Sequence, residues 1–388
     1  MSTQSLKPGW KMVKFGEVVK NANLVERDPE ANGVERIVGL EHIDPENLHV
    51  RRWNSVADGT SFTRKFVPGQ TLFGKRRAYQ RKVAYAEFEG ICSGDILTFE
   101  PKNRKVLLPE FLPFICQSDA FFDHALDTSA GSLSPRTSWT ALKDFEFPLP
   151  PIDEQKRIAE ILWAADEAVE SWNSCQSSLQ RLIESVVEET AKNARDKGWA
   201  FKALGDVATV ERGKFSHRPR NLPQFYGGPY PFAQTGDVHR AKGFIRDFEY
   251  TLTDEGKHYS KSFPSGTILI TIAAVIGATA ITEAETWATD SVVGIVPGDE
   301  INVYFLEYFL RTQRHYLENV AATQTAQKNI NLQILRPLQV PVPPLAVQES
   351  IVQKIGKIQA HIDLLENHLA SCRGLIKSTT NGMGAIHV

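Results

Sequence analysis

No stretch of this chain approaches the roughly 18 apolar residues that a membrane-spanning helix needs. The opening residues MSTQSLKPGWK lack the apolar core of a secretory signal. Cysteine is scarce: Cys92, Cys116, Cys175 and Cys372 lie far apart, and none belongs to a C-x-x-C pair. That counts against a zinc site or a disulfide framework and points to a reducing, cytoplasmic setting. Charge of one sign is missing too, with a net −2 over 388 residues. The neutral total hides an uneven distribution: residues 152–197 carry ten acids and six bases, residues 1–151 nineteen acids and twenty bases. Neutrality therefore excludes little about a nucleic-acid partner. There is no G-x-x-x-x-G-K-[ST] phosphate loop and no NPPY-like stretch of an adenine methyltransferase. Histidines and acids are too scattered for a metal-assisted nuclease, so no metal site is expected.

What is present is a repeat. FPLPPIDEQKRIAEIL (Phe147 to Leu162) and VPVPPLAVQESIVQKI (Val340 to Ile355) both write apolar-Pro-apolar-Pro-Pro-apolar ahead of a helical pattern. Upstream, GWKMVKFGEVV resembles GWAFKALGDVA, and ICSGDILTFEP matches WATDSVVGIVP. Gly59, Phe62, Phe66 and Gly69 meet Gly256, Tyr259, Phe263 and Gly266 at one constant offset. The blocks keep their order, so the chain is an internal duplication. Each copy begins with a mixed domain of about 150 residues. TLFG, KVAYAEF and DILTFEP read as strands in the first copy, TILITI and SVVGIVP in the second. Leu108 to Leu126 and Asn302 to Val320 read as single helices.

Each copy ends in a heptad seam. Ile158, Leu162, Ala165, Val169, Trp172, Leu179 and Ile183 lie on the first, and Ile351, Ile355, Ile358, Ile362, Leu365 and Leu369 on the second. The proline stretch reads as a stiff lead-in that sets where each helix starts. Trp163, Ile161 and Ala168 fall outside the seam, as an apolar strip for a partner. The fold expected is α+β: domains at 1–151 and 198–344, separated by helices 152–197 and 345–388 that pair as an antiparallel coiled coil. That pairing implies a dumbbell with a pseudo-two-fold axis and up to about 60 Å between domains. The alternative is two independent amphipathic helices, each packed on its own domain.

PLPPIDEQKRIAEIL, PVPPLAVQESIVQKI, GDVATVERGK and PYPFAQTGDV together resemble the DNA specificity (S) subunit of type I restriction-modification systems. The likeness covers essentially the whole chain. It implies two target-recognition domains, each reading one half of a split, asymmetric site in double-stranded DNA, and helices that hold two methyltransferase (M) subunits. Restriction (R) subunits would join the full complex. The S subunit itself is not catalytic and binds no cofactor; S-adenosylmethionine, ATP and Mg2+ belong to its partners.

Under that resemblance the basic loops become candidate DNA contacts. The densest is FGKRRAYQRKVAYAEFEG, with Lys75, Arg76, Arg77, Arg81 and Lys82 interleaved with Tyr79 and Tyr85. The second copy has no base in LITIAAVIGATAITE; its candidates are Arg212, Lys214, His217, Arg218 and Arg220, then His239, Arg240 and Lys242. A third element is the loop before each last strand, SAGSLSPRTSW with Arg136 and ATQTAQKNINL with Lys328. The competing readings of these loops are solvated turns and polar connections. A coiled-coil scaffold that spaces partners without reading DNA, or a one-chain nuclease or methyltransferase, are the rival functions.

Overall fold

In the computed structural model, which describes residues 6–241, 243–321 and 329–384, each Pro-rich stretch forms a short strand before its long helix begins. Glu146–Leu149 pairs antiparallel with Lys11–Lys14, and Gln339–Val342 with Ala200–Ala203. The lead-in is thus a strand rather than an unpaired extended segment. Pro148 and Pro341 are tolerated because each of these sheets has two strands, so a residue without an N–H can sit on an open edge. The next two prolines end the strand, and helices Ile152–Asp196 and Leu345–Gly384 follow. Gly198, at φ +67°, closes the first of them, with the Trp199 N–H donating to Ala194 O at 2.8 Å.

Contacts divide the chain into two units. Unit 1 holds the residues up to Ser174 together with those from Leu365 on, and unit 2 is Cys175–Leu364. Unit 1 has an antiparallel sheet in the order Val19–Asn21, Ile96–Pro101, Thr71–Gly74, Val83–Tyr85. Unit 2 repeats that order and sense with Ala208–Arg212, Val292–Pro297, Ile268–Thr271 and Thr279–Thr282, and adds Phe244–Ile245 at the edge. A second sheet also repeats. Arg64–Phe66 lies antiparallel to Gly90–Cys92, which is parallel to Arg36–Val38. Lys261–Phe263, Thr286–Ala288 and Tyr226–Ala233 stand in the same relation. The duplication read from sequence is therefore a duplication of topology. Gly69 and Gly266, matched in sequence, both take a left-handed turn (φ +87° and +80°) ahead of a central strand, where a side chain would be strained.

The cores differ although the topology does not. Unit 1 is filled by aromatic rings packed edge-on and tilted: Phe15 lies 4.9 Å from Phe121 and 5.3 Å from Phe99, and Phe73 5.8 Å from Phe122. Unit 2 is aliphatic, built on Ile268, Ile270, Ile295, Leu306 and Leu310. Leu108 to Leu126 is not one helix. It breaks into Leu112–Gln117 and Asp119–Asp127 at Ser118, whose extended backbone (φ −63°, ψ 146°) and hydroxyl cap the second piece at Phe121 N. Asn302 to Val320 is helical in pieces: Val303–Thr312, then, past Gln313, Arg314–Tyr316 running into a π-helical turn Leu317–Ala321.

The heptad seams pair. In unit 2, Leu179, Ile183, Ile351, Ile355, Ile358 and Ile362 share one apolar cluster. In unit 1, Ile158 and Leu162 pack into its core, Ala165, Val169 and Leu369 are buried, and Trp172 lies 5.4 Å from His368. Leu365 is half-buried. One cavity of about 540 Å³ joins Asp166 and Val169 to Ile376 and Lys377, while the later Trp172 meets the earlier His368, so within unit 1 the two helices run antiparallel. Trp163 is not part of a free strip. Its ring packs 5.2 Å from both Phe114 and Tyr85, and its indole N–H donates to Glu110 O at 2.9 Å. Ile161 stays half-exposed. Among the described residues no helix is long and apolar enough to cross a membrane.

A polar clasp ties the loop 44–52 to the first long helix inside unit 1. Buried His49 sits 2.9 Å from Asp166 and 2.5 Å from Glu87, while Asn47 donates to Glu170 at 3.0 Å. The Asp166 carboxylate, and then Glu87, hold the His49 pKa above its ordinary 6.5 against the opposing pull of burial. A raised folded-state value contributes stability that is fully present below pH 6.5 and lost as pH rises through that higher value. The urea midpoint of unit 1 should therefore fall as pH climbs from 6.5 through the raised value, and His49→Gln should flatten that fall. A wild-type midpoint indifferent to pH in that range would remove the clasp from the account.

Candidate nucleic-acid interface

Two loops that are far apart in sequence come together in unit 1. The segment after strand Thr71–Gly74 and the segment 129–139 are stitched by backbone bonds, Arg77 N to Pro135 O at 2.7 Å and Thr137 N to Lys75 O at 3.0 Å. Arg76 and Arg136 form a bridge pair. Above this seam the Arg76 and Arg77 guanidiniums both donate to Ser134 Oγ, at 3.2 and 3.3 Å. Arg77 and Arg81 sit in left-handed backbone conformations (φ 54° and 52°), which bulky residues rarely adopt. The loop thus turns sharply and is pinned at both ends. Tyr79 is 55% exposed at its apex, and Leu133 90% exposed at the tip of the facing loop.

Not all of the basic run faces outward. Arg81 donates to Gln117 O at 2.7 Å, pairs with Asp119 at 2.8 Å and lies 4.5 Å over the Phe122 ring. Lys82 donates to Leu40 O at 2.6 Å. These two cations hold unit 1 together, while Arg76, Arg77 and Arg136 form its accessible basic surface. Burial, then Arg64, pushes the Lys75 amine below its ordinary value.

Asp95 is the organising anion. It lies in the turn between Gly90–Cys92 and Ile96–Pro101, accepts from Arg136 at 3.0 and 3.4 Å, and stands 3.7 Å from Arg76. Burial pushes its carboxyl up, but the Arg136 bond and charge, then Lys75 and Arg76, outweigh this and hold it below the ordinary carboxylate range.

Unit 2 builds its basic surface from other segments. Arg220 forks onto Asp290 at 3.0 and 2.5 Å, Arg218 stands 3.9 Å from the same carboxylate, and Arg212 donates to Asp290 O at 2.5 Å. Burial again raises the Asp290 carboxyl, and Arg220 foremost brings it below the ordinary value. His217 packs edge-on against Phe225 and Tyr259, 4.7 and 4.9 Å away, and Lys214 is exposed. His239 and Arg240 are exposed on the separate helix Thr235–Arg240, where Arg240 pairs with buried Asp237 at 2.6 Å. Lys242 and Lys328 lie outside the described residues.

Several residues of consequence carried no basic or aromatic signal. Asp95 and Asp290 stand in the aligned blocks ICSGDILTFEP and WATDSVVGIVP, where an acid in both turns was visible. Gln155 and Gln348 each follow the last proline of the repeat by four residues and are fully buried. Among the described residues no group of three or more His, Cys, Asp or Glu side chains gathers as metal ligands do.

Comparison with known proteins agrees with the duplicated plan. The family model for the type I restriction modification DNA specificity domain matches residues 8–178 and again 196–371. The type I restriction enzyme EcoDI specificity subunit of Escherichia coli is 24% identical over 208 residues, 50% of this chain and 44% of that protein. The MjaIX specificity subunit of Methanocaldococcus jannaschii is 26% identical over 46% of this chain and also 44% of its own length. The chain therefore spans less than half of these two relatives. The putative MjaX specificity subunit of the same archaeon is 24% identical over 90% of this chain and 85% of its own. Among solved structures, the type I restriction-modification S subunit from M. genitalium superposes with a TM-score of 0.58 at 13% identity over 99% of both chains. A chain from a structure of type I R-M complex assembly and conformational transition gives 0.56 at 22% identity over 98% of both. These likenesses extend to the fold.

Proposed function

From the premise that the chain belongs to the type I restriction-modification DNA specificity family, we propose that it is the sequence-reading, non-catalytic subunit of such a complex. In this reading each unit recognises one half of a bipartite, asymmetric site in double-stranded DNA. The paired helices dock two methyltransferase subunits, and restriction subunits complete the enzyme. S-adenosylmethionine, ATP and Mg2+ then serve the partners, and the assembly works in the cytoplasm. One observation carries the proposal: two units of the same topology present basic surfaces made from different loops. Equal scaffolds with unequal reading loops are what a split, asymmetric target requires. Mapping methylated bases in the DNA of cells that hold this chain and its methyltransferase partner tests it. The expected result is one motif of two dissimilar halves with a fixed gap. A contiguous or palindromic motif would overturn the split-site reading, and no motif at all would favour a spacing scaffold.

Arg76 and Arg77 give a sharper test. Replacing both by alanine should weaken binding of the target duplex about tenfold or more and reduce the slope of log affinity against log salt by up to about 2, since up to two phosphate contacts and their released counterions are lost. Titrations between 50 and 200 mM salt would check this. An unchanged slope returns the loop to a solvated turn.

A further inference from the structure

The two basic surfaces share one element that neither charge counting nor motif matching singles out. In each unit, the three-residue turn between the second sheet and the central strand of the first carries an aspartate: Asp95 in Ser93–Asp95, and Asp290 in Thr289–Ser291. The turns are equivalent. Lys75 N donates to Asp95 O at 2.9 Å, and in the matching place Ile272 N donates to Ser291 O at 3.0 Å. The aspartate is shifted by one residue between units, yet does the same thing in both. It takes one guanidinium in a two-point fork, Arg136 in unit 1 and Arg220 in unit 2. It also has a second arginine within 4 Å, Arg76 or Arg218.

The arginines come from non-equivalent segments. Arg136 belongs to the loop before the last strand, whereas Arg220 follows the first strand of its sheet. Common descent of the loops therefore does not account for the shared pairing, and the anion's place is the constant feature. Both carboxylates are sunk, with side chains 21% and 32% exposed, while their arginines remain 39–57% exposed. A guanidinium has five N–H donors, and the fork uses two of them. Arg136 forks through Nε and Nη2 and keeps Nη1 free, whereas Arg220 forks through both terminal nitrogens with Nε buried and keeps their outer hydrogens, each on a plane whose orientation is already fixed.

We propose that Asp95 and Asp290 are specificity-positioning residues, each fixing an arginine fork so that its unit discriminates bases rather than merely attracting phosphate. This rests on the DNA-reading function above. A guanidinium held in one plane matches the paired acceptors of a guanine edge without first losing its rotational freedom. The same carboxylate cancels part of the local positive charge and so lowers sequence-independent attraction.

The two effects have opposite signs, which separates this role from simple support of the fold. The full chain, assembled with its methyltransferase subunit, is used to select from a pool of randomised duplex DNA, and the selected sequences are read. Asp95→Asn should lower base discrimination in one half of the motif about tenfold, the scale of one bidentate base contact. It should leave the other half intact, keep or raise affinity for random duplex, and steepen the salt slope by up to about 1. Asp290→Asn should do the same to the other half. Loss of discrimination with an equal loss of random-duplex affinity would reduce the aspartates to structural supports and overturn the inference, as would an unchanged motif. If Asp95→Asn fails to fold, Arg136→Lys decides the matter: it keeps a charge on Asp95 but removes the planar fork, and must blur the same half. A wild-type complex that selects no motif at all would overturn the DNA-reading function itself.

Discussion

Gln155→Leu is expected to destabilise unit 1 by about 3–6 kcal/mol, and Gln348→Leu to do the same to unit 2. The amide of Gln155 donates to Val106 O and to Pro150 O, both at 2.8 Å, and its oxygen accepts from Leu108 N at 3.0 Å. Gln348 repeats the pattern with Glu300 O, Pro343 O and Asn302 N at 3.0, 2.8 and 2.7 Å. Each glutamine thus joins three backbone groups: the proline that precedes the long helix, and both sides of the connection entering the next helical segment. Leucine fills nearly the same volume but leaves one buried carbonyl, and a second carbonyl and an N–H that are only partly buried, without partners, at about 1–3 kcal/mol each with the partly buried pair at the low end. Such a loss is a large part of the 5–15 kcal/mol that holds a typical domain. Urea denaturation of the single and double variants is the measurement. The two sites share no hydrogen-bond partner, so their effects should add. A shift below 1 kcal/mol in both would mean that solvent replaces the lost bonds and that the clamp is dispensable.

The second large effect concerns the gap in the DNA site. The first long helix runs unbroken through 45 residues, and its heptad seam continues from one unit's residues into the other's. Removing one heptad, Ala168–Ser174, takes out about two turns, roughly 10 Å of helix. Removing Glu366–Cys372 as well takes away the His368 partner of Trp172 and keeps both seams in phase. At about 3.4 Å per base pair, from the length of a DNA turn, the preferred gap should shorten by up to about 3 base pairs. The half-site sequences should persist, because the loops proposed to read them are untouched. Rotation around the duplex restricts which lengths work. Methylation mapping of the shortened chain is decisive: an unchanged gap at full activity would exclude the helices as the ruler, and altered half-sites would show that reading is not confined to the two units.

Much of this architecture was legible in one sequence. Duplication is visible because equivalent folds need similar residues at fixed intervals, as at Gly69 and Gly266, where the backbone turns left-handed in both copies. The paired helices were legible because a heptad records burial on one face of a regular element. Periodicity is local, so it survives in the linear string. Chain breaks and long-range pairings leave no such record. Ser118 divides a segment whose apolar pattern runs straight through, because its hydroxyl offers a local cap that competes with continuing the helix. Pro148 and Pro341 enter strands because their partners, Met12 and Phe201, lie far away in sequence and leave them an open edge. Trp163 looked like part of a partner-facing strip until Phe114, Tyr85 and Glu110 folded against it.

The candidate interface divides the same way. A run of five cations was plain in the string, but which of them face solvent was not. Arg81 and Lys82 turn inward because Gln117, Asp119 and Leu40, far from them in sequence, offer acceptors there. Arg136 joins Arg76 because backbone bonds stitch their loops together and Asp95 stands between them once the sheets have formed. Sequence determined the repeat, the elements and the supply of charge through local pattern; tertiary structure alone decided which charges meet, because an ion pair depends on distance in space and not on separation along the chain.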